Sequence, residues 1–364
     1  IHGSATCLIN FGDNNECYAE LLGEERQGMK IMFQMMNEAR LAVGMQGLCS
    51  ASIAYLHALQ YAKDRLQGSS LMEFKNPEAP RVPIIQHPDV RRMLLWMKSS
   101  VDSLRAIIYF TAYCFDMEHL AKDEEEKAKW VGFAEILTPI VKAYSSDIGF
   151  KVTELAMQVY GGYGFCSEYP VEQFMRDEKI ASIYEGANGI QALDLIGRKL
   201  GMKKGAYFMG LLGEMNSTIA KYKDGNGLSD IAADVQNAVN KLGEMGLYFA
   251  MCGKEGKFLV PINNAYPFMM MMGKVVSAWF LLWQAGVAQA KLDALAKAKG
   301  VDASDKAALA ELIKNNKDAA FYSGKVYSAR FFAKNVLPEV DAAVVAIKNE
   351  DMSILEIAEE SFAS

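Results

Sequence analysis

One stretch constrains this chain more than any other. It runs from Gln158 to Leu200 and reads QVYGGYGFCSEYPVEQFMRDEKIASIYEGANGIQALDLIGRKL. Gly161, Gly162 and Gly164 fall close together, where a helix ends and the backbone must approach something closely. An amphipathic segment with Arg176 and Asp177 follows. Then comes Glu185, with Gly186 next and Gly189 close behind. A helix is predicted to open there, with Asn188 as its N-cap and Gln191 at loose capping-box spacing. A carboxylate on a tight loop before a helix can be aimed, and it need not be solvated. That is the geometry a general base requires. Taken alone, each feature also has an ordinary reading. A glutamate between glycines is commonly a surface residue, and a glycine cluster commonly just ends a helix.

Length and composition set the outer limits. With 364 residues the chain can build two domains with substantial cores. Hydrophobic residues make up 51% and charged residues 23%, ordinary proportions for a globular protein. The net charge of −6, without a basic cluster, argues against nucleic acid as the main partner. Cys7, Cys17, Cys49, Cys114, Cys166 and Cys252 show no CxxC spacing, so reduced, mostly buried thiols and a cytoplasmic location are expected. His2, His57, His87 and His119 lie far apart, and no metal site is expected. The chain opens on Ile1 with no visible signal peptide, which suggests a processed chain or a fragment.

Along the chain, 5–12 (ATCLINFG) reads as a strand followed by a turn. From Met29, apolar residues recur at helical spacing up to Gly68. A loop over 68–88 carries four prolines. Asp89 is a predicted cap for a helix over about 90–121. The acidic run at Asp123 marks the start of a third helix reaching Tyr160, kinked near Pro139. With the helix after Asn188, these make a four-helix bundle. Beyond Met202 the composition shifts toward Lys and Ala, with a loop at 223–227 (KDGNG). Asn264 to about Lys299 reads as one long buried helix rather than a membrane span, and its Met269–Met272 run as core filling. A last helix is predicted over 319–346, broken near Pro338.

The Gln158–Leu200 stretch resembles the C-terminal signature of the acyl-CoA dehydrogenases. The resemblance rests on Gln158, Gly161, Gly162, Gly164, Phe165, Glu168 and Asp177, then on Tyr184, Glu185, Gly186 and Asn188. Gln173 and Ala187 depart from it, standing where the signature has a basic residue and a threonine. Residues 201–364 resemble the extra helical domain of the larger bacterial members, the 3-methylmercaptopropionyl-CoA dehydrogenase-like type. The implied fold is all-α: a remnant of a middle β domain at 1–28, the C-terminal helical bundle at 29–200, and an additional helical domain at 201–364.

The resemblance also implies chemistry. Glu185 becomes the base that removes the α-hydrogen of an acyl-CoA thioester, as hydride passes to the N5 atom of FAD. Tyr184 and Gly186 border the substrate. Arg65, Gln67, Gln158, Gly161, Gly162 and Asn188 become FAD contacts, several of them reaching across a homodimer. Arg40 matches an arginine of the same helix and is read as mainly structural. Electron-transferring flavoprotein is the implied electron acceptor. Because the chain matches the end of the family's sequence, it is expected to bind FAD weakly and to be inactive by itself. A different role on the same fold, such as the DNA-binding alkylation-response branch or a structural protein, is the alternative. Residues 201–364 hold 18 Lys+Arg and 18 Asp+Glu, which gives no electrostatic footprint for DNA.

Overall fold

The computed structural model describes residues 1, 3–73, 75–225 and 227–363, apart from the Gln34 side chain. His2 and Asn226, both part of sequence expectations, lie outside the described residues.

The first part of the chain is dominated by three long helices: α1 (Gly28–Asp64), α2 (Pro88–Leu120) and α3 (Glu124–Tyr160). Asp123 caps α3, its side chain accepting from the Glu126 N–H, and three glutamates follow in the first turn, where the helix dipole favours negative charge. Asp89 does not cap α2. The helix starts one residue earlier at Pro88, which suits a position whose N–H has no helical partner, and Asp89 instead pairs with Arg92. Between α1 and α2 the proline-rich loop contains a feature without a periodic signal. Two short strands, β1 (Leu66–Ser69) and β2 (Arg81–Pro83), pair antiparallel.

The strand expected over 5–12 is absent. That segment is irregular, and Leu8, Ile9 and Phe11 are largely exposed. A strand needs a neighbour to satisfy its backbone, and among the described residues the strand pairing is β1 with β2, which 5–12 does not join.

Helices α1 and α3 cross at backbone contact. A Cβ on Gly47 would meet the Ser145 carbonyl oxygen at 2.7 Å, and one on Gly149 would meet the Gly47 oxygen at 2.7 Å. Any larger residue would push the two helices apart. After α3 the chain makes a 3₁₀ turn, then α4 (Val171–Lys179), then α5 (Asn188–Asp194), which runs into a π turn at Leu195–Lys199. The fully buried Lys199 pairs there with Glu135 of α3.

The second part contains α6 (Ala206–Ala220), α7 (Ser229–Lys254), α8 (Leu259–Asn263), α9 (Ala265–Ala298), α10 (Lys306–Asn315), α11 (Lys317–Asn335), α12 (Glu339–Lys348) and α13 (Ser353–Glu356). The break around Pro338 separates α11 from α12, as the sequence suggests. The most apolar window of α9 is 78% buried, and Met269, Met271 and Met272 are core residues. Gly273 lets α9 lie on the Tyr144 ring of α3, where a Cβ would come within 2.3 Å. Buried residues of both parts join one continuous apolar core.

Candidate active site

Glu185 lies in the turn between α4 and α5. Its φ is 57°, and Gly186 follows at 84°. Holding a non-glycine residue in the left-handed region costs about 1–3 kcal/mol, so surrounding contacts must fix it. Those contacts are specific. The Tyr184 hydroxyl donates to Gln46 Oε1 on α1. Gln191 Nε2 donates to the Gly186 carbonyl at 3.3 Å. A Cβ at 186 would sit 2.6 Å from that same nitrogen and displace it, and the φ of 84° independently favours glycine there.

The loop is anchored from below by buried polar groups. Lys142, fully buried on α3, donates to Asn188 Oδ1 at 2.9 Å. Asn188 Nδ2 donates to Ser146 Oγ at 2.9 Å and to the Ala143 carbonyl at 3.2 Å. The predicted N-cap role of Asn188 is therefore corrected. Ala187 precedes the helix, and the Asn188 side chain turns into the core. A buried ammonium needs an acceptor, and that demand outweighs the gain from capping a short helix. Burial pushes the Lys142 ammonium down to about 8.

Arg40 of α1 is also buried, with Nη1 3.6 Å from Asp194 and its Nε without a partner. Arg40 and Lys142 both feel the charge of Glu185. Glu185 itself is half-buried and makes no hydrogen bond or ion pair among the described residues. Its oxygens are available to a proton, in a setting where two buried cations offset its charge.

Glu178 is the least foreseeable member of this region. It is fully buried at the α1–α3 crossing, where the Ser50 hydroxyl approaches the carboxyl without completing a hydrogen bond. One of them lies 3.1 Å from the Cβ positions of both Gly47 and Gly149. Burial pushes the carboxyl up to about 8, opposed by the Ser50 hydroxyl. Nothing in the sequence marks Glu178 or Lys142 as buried. Gln191 could have been found from its capping-box spacing.

A second cleft, of about 520 Å³, brings together Tyr61, Arg65 and Gln67 from the end of α1 and the start of β1 with Tyr160, Gly161 and Gly162 from the end of α3. Four of the sequence-predicted residues thus meet, although about a hundred positions separate the two groups. Gly161 ends α3 with φ 63° and ψ −142°, and its N–H donates to the Gln158 carbonyl. A Cβ on Gly161 or Gly162 would meet nothing within 4 Å. The Tyr61 and Tyr160 rings stack at 4.0 Å, and the Arg65 guanidinium lies 5.4 Å from the Tyr163 ring centre. His87 Nε2 donates to the Gln67 carbonyl at 2.7 Å, fixing the short strand β1 that carries Gln67. The Gln158 side chain is exposed and does not line the cleft. Glu185 does not line it either.

Comparison with known proteins agrees with this layout. Residues 26–201 match a family model described as acyl-CoA dehydrogenase, C-terminal domain. Residues 211–358 match one described as acetyl-CoA dehydrogenase C-terminal like. The chain is 37% identical over 368 residues to a butyryl-CoA dehydrogenase of Syntrophomonas wolfei, covering 99% of this chain and 56% of that protein. It is 36% identical over 365 residues to the 3-methylmercaptopropionyl-CoA dehydrogenase of Ruegeria pomeroyi, covering 98% and 56%. It thus spans a little over half the length of these relatives. Among solved structures, Caenorhabditis elegans ACDH-11 aligns with a TM-score of 0.65 at 14% identity, over 87% of this chain and 46% of that one. The acyl-CoA dehydrogenase of Bacillus anthracis, complexed with FAD, aligns at 0.57 and 19% identity, over 88% and 53%. At such identities these two likenesses establish the fold alone. With relatives matched along almost its whole length and the signature glycines and Glu185 set in one helical framework, the chain belongs to the acyl-CoA dehydrogenase family.

Proposed function

We infer that this chain carries the catalytic base and part of the cofactor site of an FAD-dependent acyl-CoA dehydrogenase. The observation that carries this reading is the Glu185 carboxylate, held in a strained turn, without a hydrogen bond or ion pair among the described residues and near two buried cations. The α-hydrogen of a thioester is a poor acid. Its removal needs a positioned carboxylate and stabilisation of charge on the thioester oxygen. Glu185 takes the proton, and its own backbone N–H donates to that oxygen. Tyr184 and Gly186 border the acyl chain. Arg40 and Lys142 keep the turn in place.

The second cleft fits FAD. The unfilled space at Gly161 and Gly162 lets a ligand reach the backbone, as a pyrophosphate requires. Arg65 and Gln67 supply a cation and an amide at the same edge. Asn188 contributes through its backbone, its side chain being committed to Lys142 and Ser146. When bound, FAD supplies the two-electron acceptor for the β-hydride. Glu185 and the Arg65 cleft are separate on one chain, which favours a homodimer whose subunits complete each other's sites.

Electron-transferring flavoprotein is the proposed electron acceptor, and the cytoplasm the proposed location, supported by six free cysteines, of which Cys7, Cys17, Cys49 and Cys166 are exposed rather than buried as the sequence suggests. Residues 1–28, 29–200 and 201–364 are the proposed units. Since the matched models are C-terminal ones, the 364 residues by themselves are expected to bind FAD weakly and to be inactive. The test is anaerobic bleaching of flavin absorbance by acyl-CoA thioesters of graded chain length, in the protein that carries this chain. Bleaching by at least one thioester is expected. A flavin-loaded protein that none of them bleaches would contradict the assignment.

A further inference from the structure

A third cavity, of about 380 Å³, lies between α2, α9 and α11 and shares no lining residue with the Glu185 region or the Arg65 cleft. Its volume falls in the range of about 300–1,000 Å³ typical of small-molecule sites. The walls are aromatic and aliphatic, with Phe280, Trp283, Val287, Phe321 and Tyr322 foremost. Its charged lining residues are two lysines, Lys291 and Lys325, and no acid is part of the lining.

The electrostatics beneath the cavity are unbalanced. Asp102 of α2 is the acid nearest Lys325, at 2.6 Å, but it is also paired with Lys98 at 2.7 Å. Ser328 takes a further position on the carboxylate at 3.0 Å. Two ammonium groups thus share one carboxylate, leaving one positive charge over in a largely desolvated place. Lys325 also donates to Gln284 Oε1 at 3.0 Å, while the amide of Gln284 donates to the Asp102 carbonyl at 3.2 Å. Two of the three Lys325 N–H bonds are used among the described residues, and the ammonium also lies 5.4 Å from the ring centre of Phe321 in the cavity wall. Lys291 forms no ion pair among the described residues and lies 5.8 Å from the Tyr322 ring centre. Apolar walls, a surplus positive floor and a second cation at the rim match one ligand chemistry: an apolar body ending in a single anionic group.

We propose that this cavity binds a free carboxylic acid with a medium-length alkyl body, its carboxylate on Lys325 and Lys291 and its chain against Trp283, Phe280 and Phe321. The site joins α2 of the first helical region to α9 and α11 of the second, so occupancy ties the two regions together. The proposal stands independently of the Glu185 chemistry.

Octanoate is the probe, with octanol and octylamine as its neutral and cationic counterparts. Binding is read by tryptophan fluorescence, Trp283 being in the wall, and by thermal shift. Octanoate is expected to bind saturably with one site per chain, at least about tenfold more tightly than octanol, as one charge-assisted hydrogen bond implies. Octylamine is expected not to bind. Lys291→Met, at an exposed rim position, and Lys325→Met are each expected to weaken octanoate while leaving octanol unchanged. Val287→Trp fills the cavity and is expected to abolish octanoate binding, which separates this site from any acyl site near Glu185. Equal affinity for octanoate and octanol, or octanoate binding that survives Val287→Trp, would overturn the proposal.

Discussion

Lys142 and Asn188 meet in the core, the Lys142 ammonium donating to Asn188 Oδ1 at 2.9 Å, and this bond joins the middle of α3 to the loop that presents Glu185. The loop that presents Glu185 is therefore held by a buried charge rather than by surface contacts. Asn188→Ala should leave that ammonium without its acceptor. A hydrogen bond to a charged group contributes about 1.5–3 kcal/mol, so a loss of that order is expected in denaturant unfolding. Lys142→Met, which removes the charge as well as the bond, should cost less than Asn188→Ala. The opposite ranking would show that the bond is not what anchors the loop.

Glu178 should make stability fall with rising pH. Its carboxyl is near 8 in the fold against an ordinary value of 4.5. Below 4.5 the group is protonated both folded and unfolded, and its contribution is fully retained. Between 4.5 and 8 the unfolded chain releases the proton that the fold retains, and stability declines until it levels off above 8. Glu178→Gln does not titrate. Its melting temperature relative to the parent should therefore rise from pH 5 to pH 8 and stay constant beyond. A difference independent of pH would show that Glu178 is not buried as described.

The α1–α3 crossing should tolerate no added methyl group. Gly47→Ala and Gly149→Ala each place a Cβ 2.7 Å from a backbone oxygen of the facing helix. Overpacking of this kind costs about 1–3 kcal/mol. Because Glu178 lies in the same joint, both variants should also alter its titration. Unchanged melting temperatures for both would contradict the close crossing.

Gly162→Ala separates cofactor binding from folding. A Cβ there meets only open space, so the melting temperature of the flavin-free protein should be unchanged. The same methyl group projects toward the proposed FAD cleft and should raise the FAD dissociation constant. Gly161→Ala differs, because its φ of 63° strains any side chain and stability should fall too. Unaltered FAD affinity in Gly162→Ala would remove the cleft from the cofactor site.

The long helices were legible because apolar periodicity over thirty or more residues has few other solutions, and Asp123 marks its helix start by a local capping bond. The strand over 5–12 misled because strand propensity says nothing about whether a partner is present. The β1–β2 pair escaped notice because two strands of a few residues, set among prolines, leave too little alternation to detect. At the site, the glycines and Glu185 were legible as a motif. Lys142 and Glu178 were not, since a charged residue in an amphipathic helix is ordinarily solvated, and only the tertiary crossing shows them to be inside. The position of Asn188 has a related cause. Local rules favour capping, and a buried lysine forty-six residues away decides otherwise.

Glu185→Gln tests the central claim most directly. Glutamine keeps the size and the turn but cannot accept the α-proton. In the protein carrying this chain, flavin content and acyl-CoA binding should be retained. The rate of anaerobic flavin bleaching by a good thioester substrate should fall by about 10²–10⁴, the usual loss when a general base is removed. Bleaching at the parent's rate would show that another residue removes the proton, and Glu185 would lose its role.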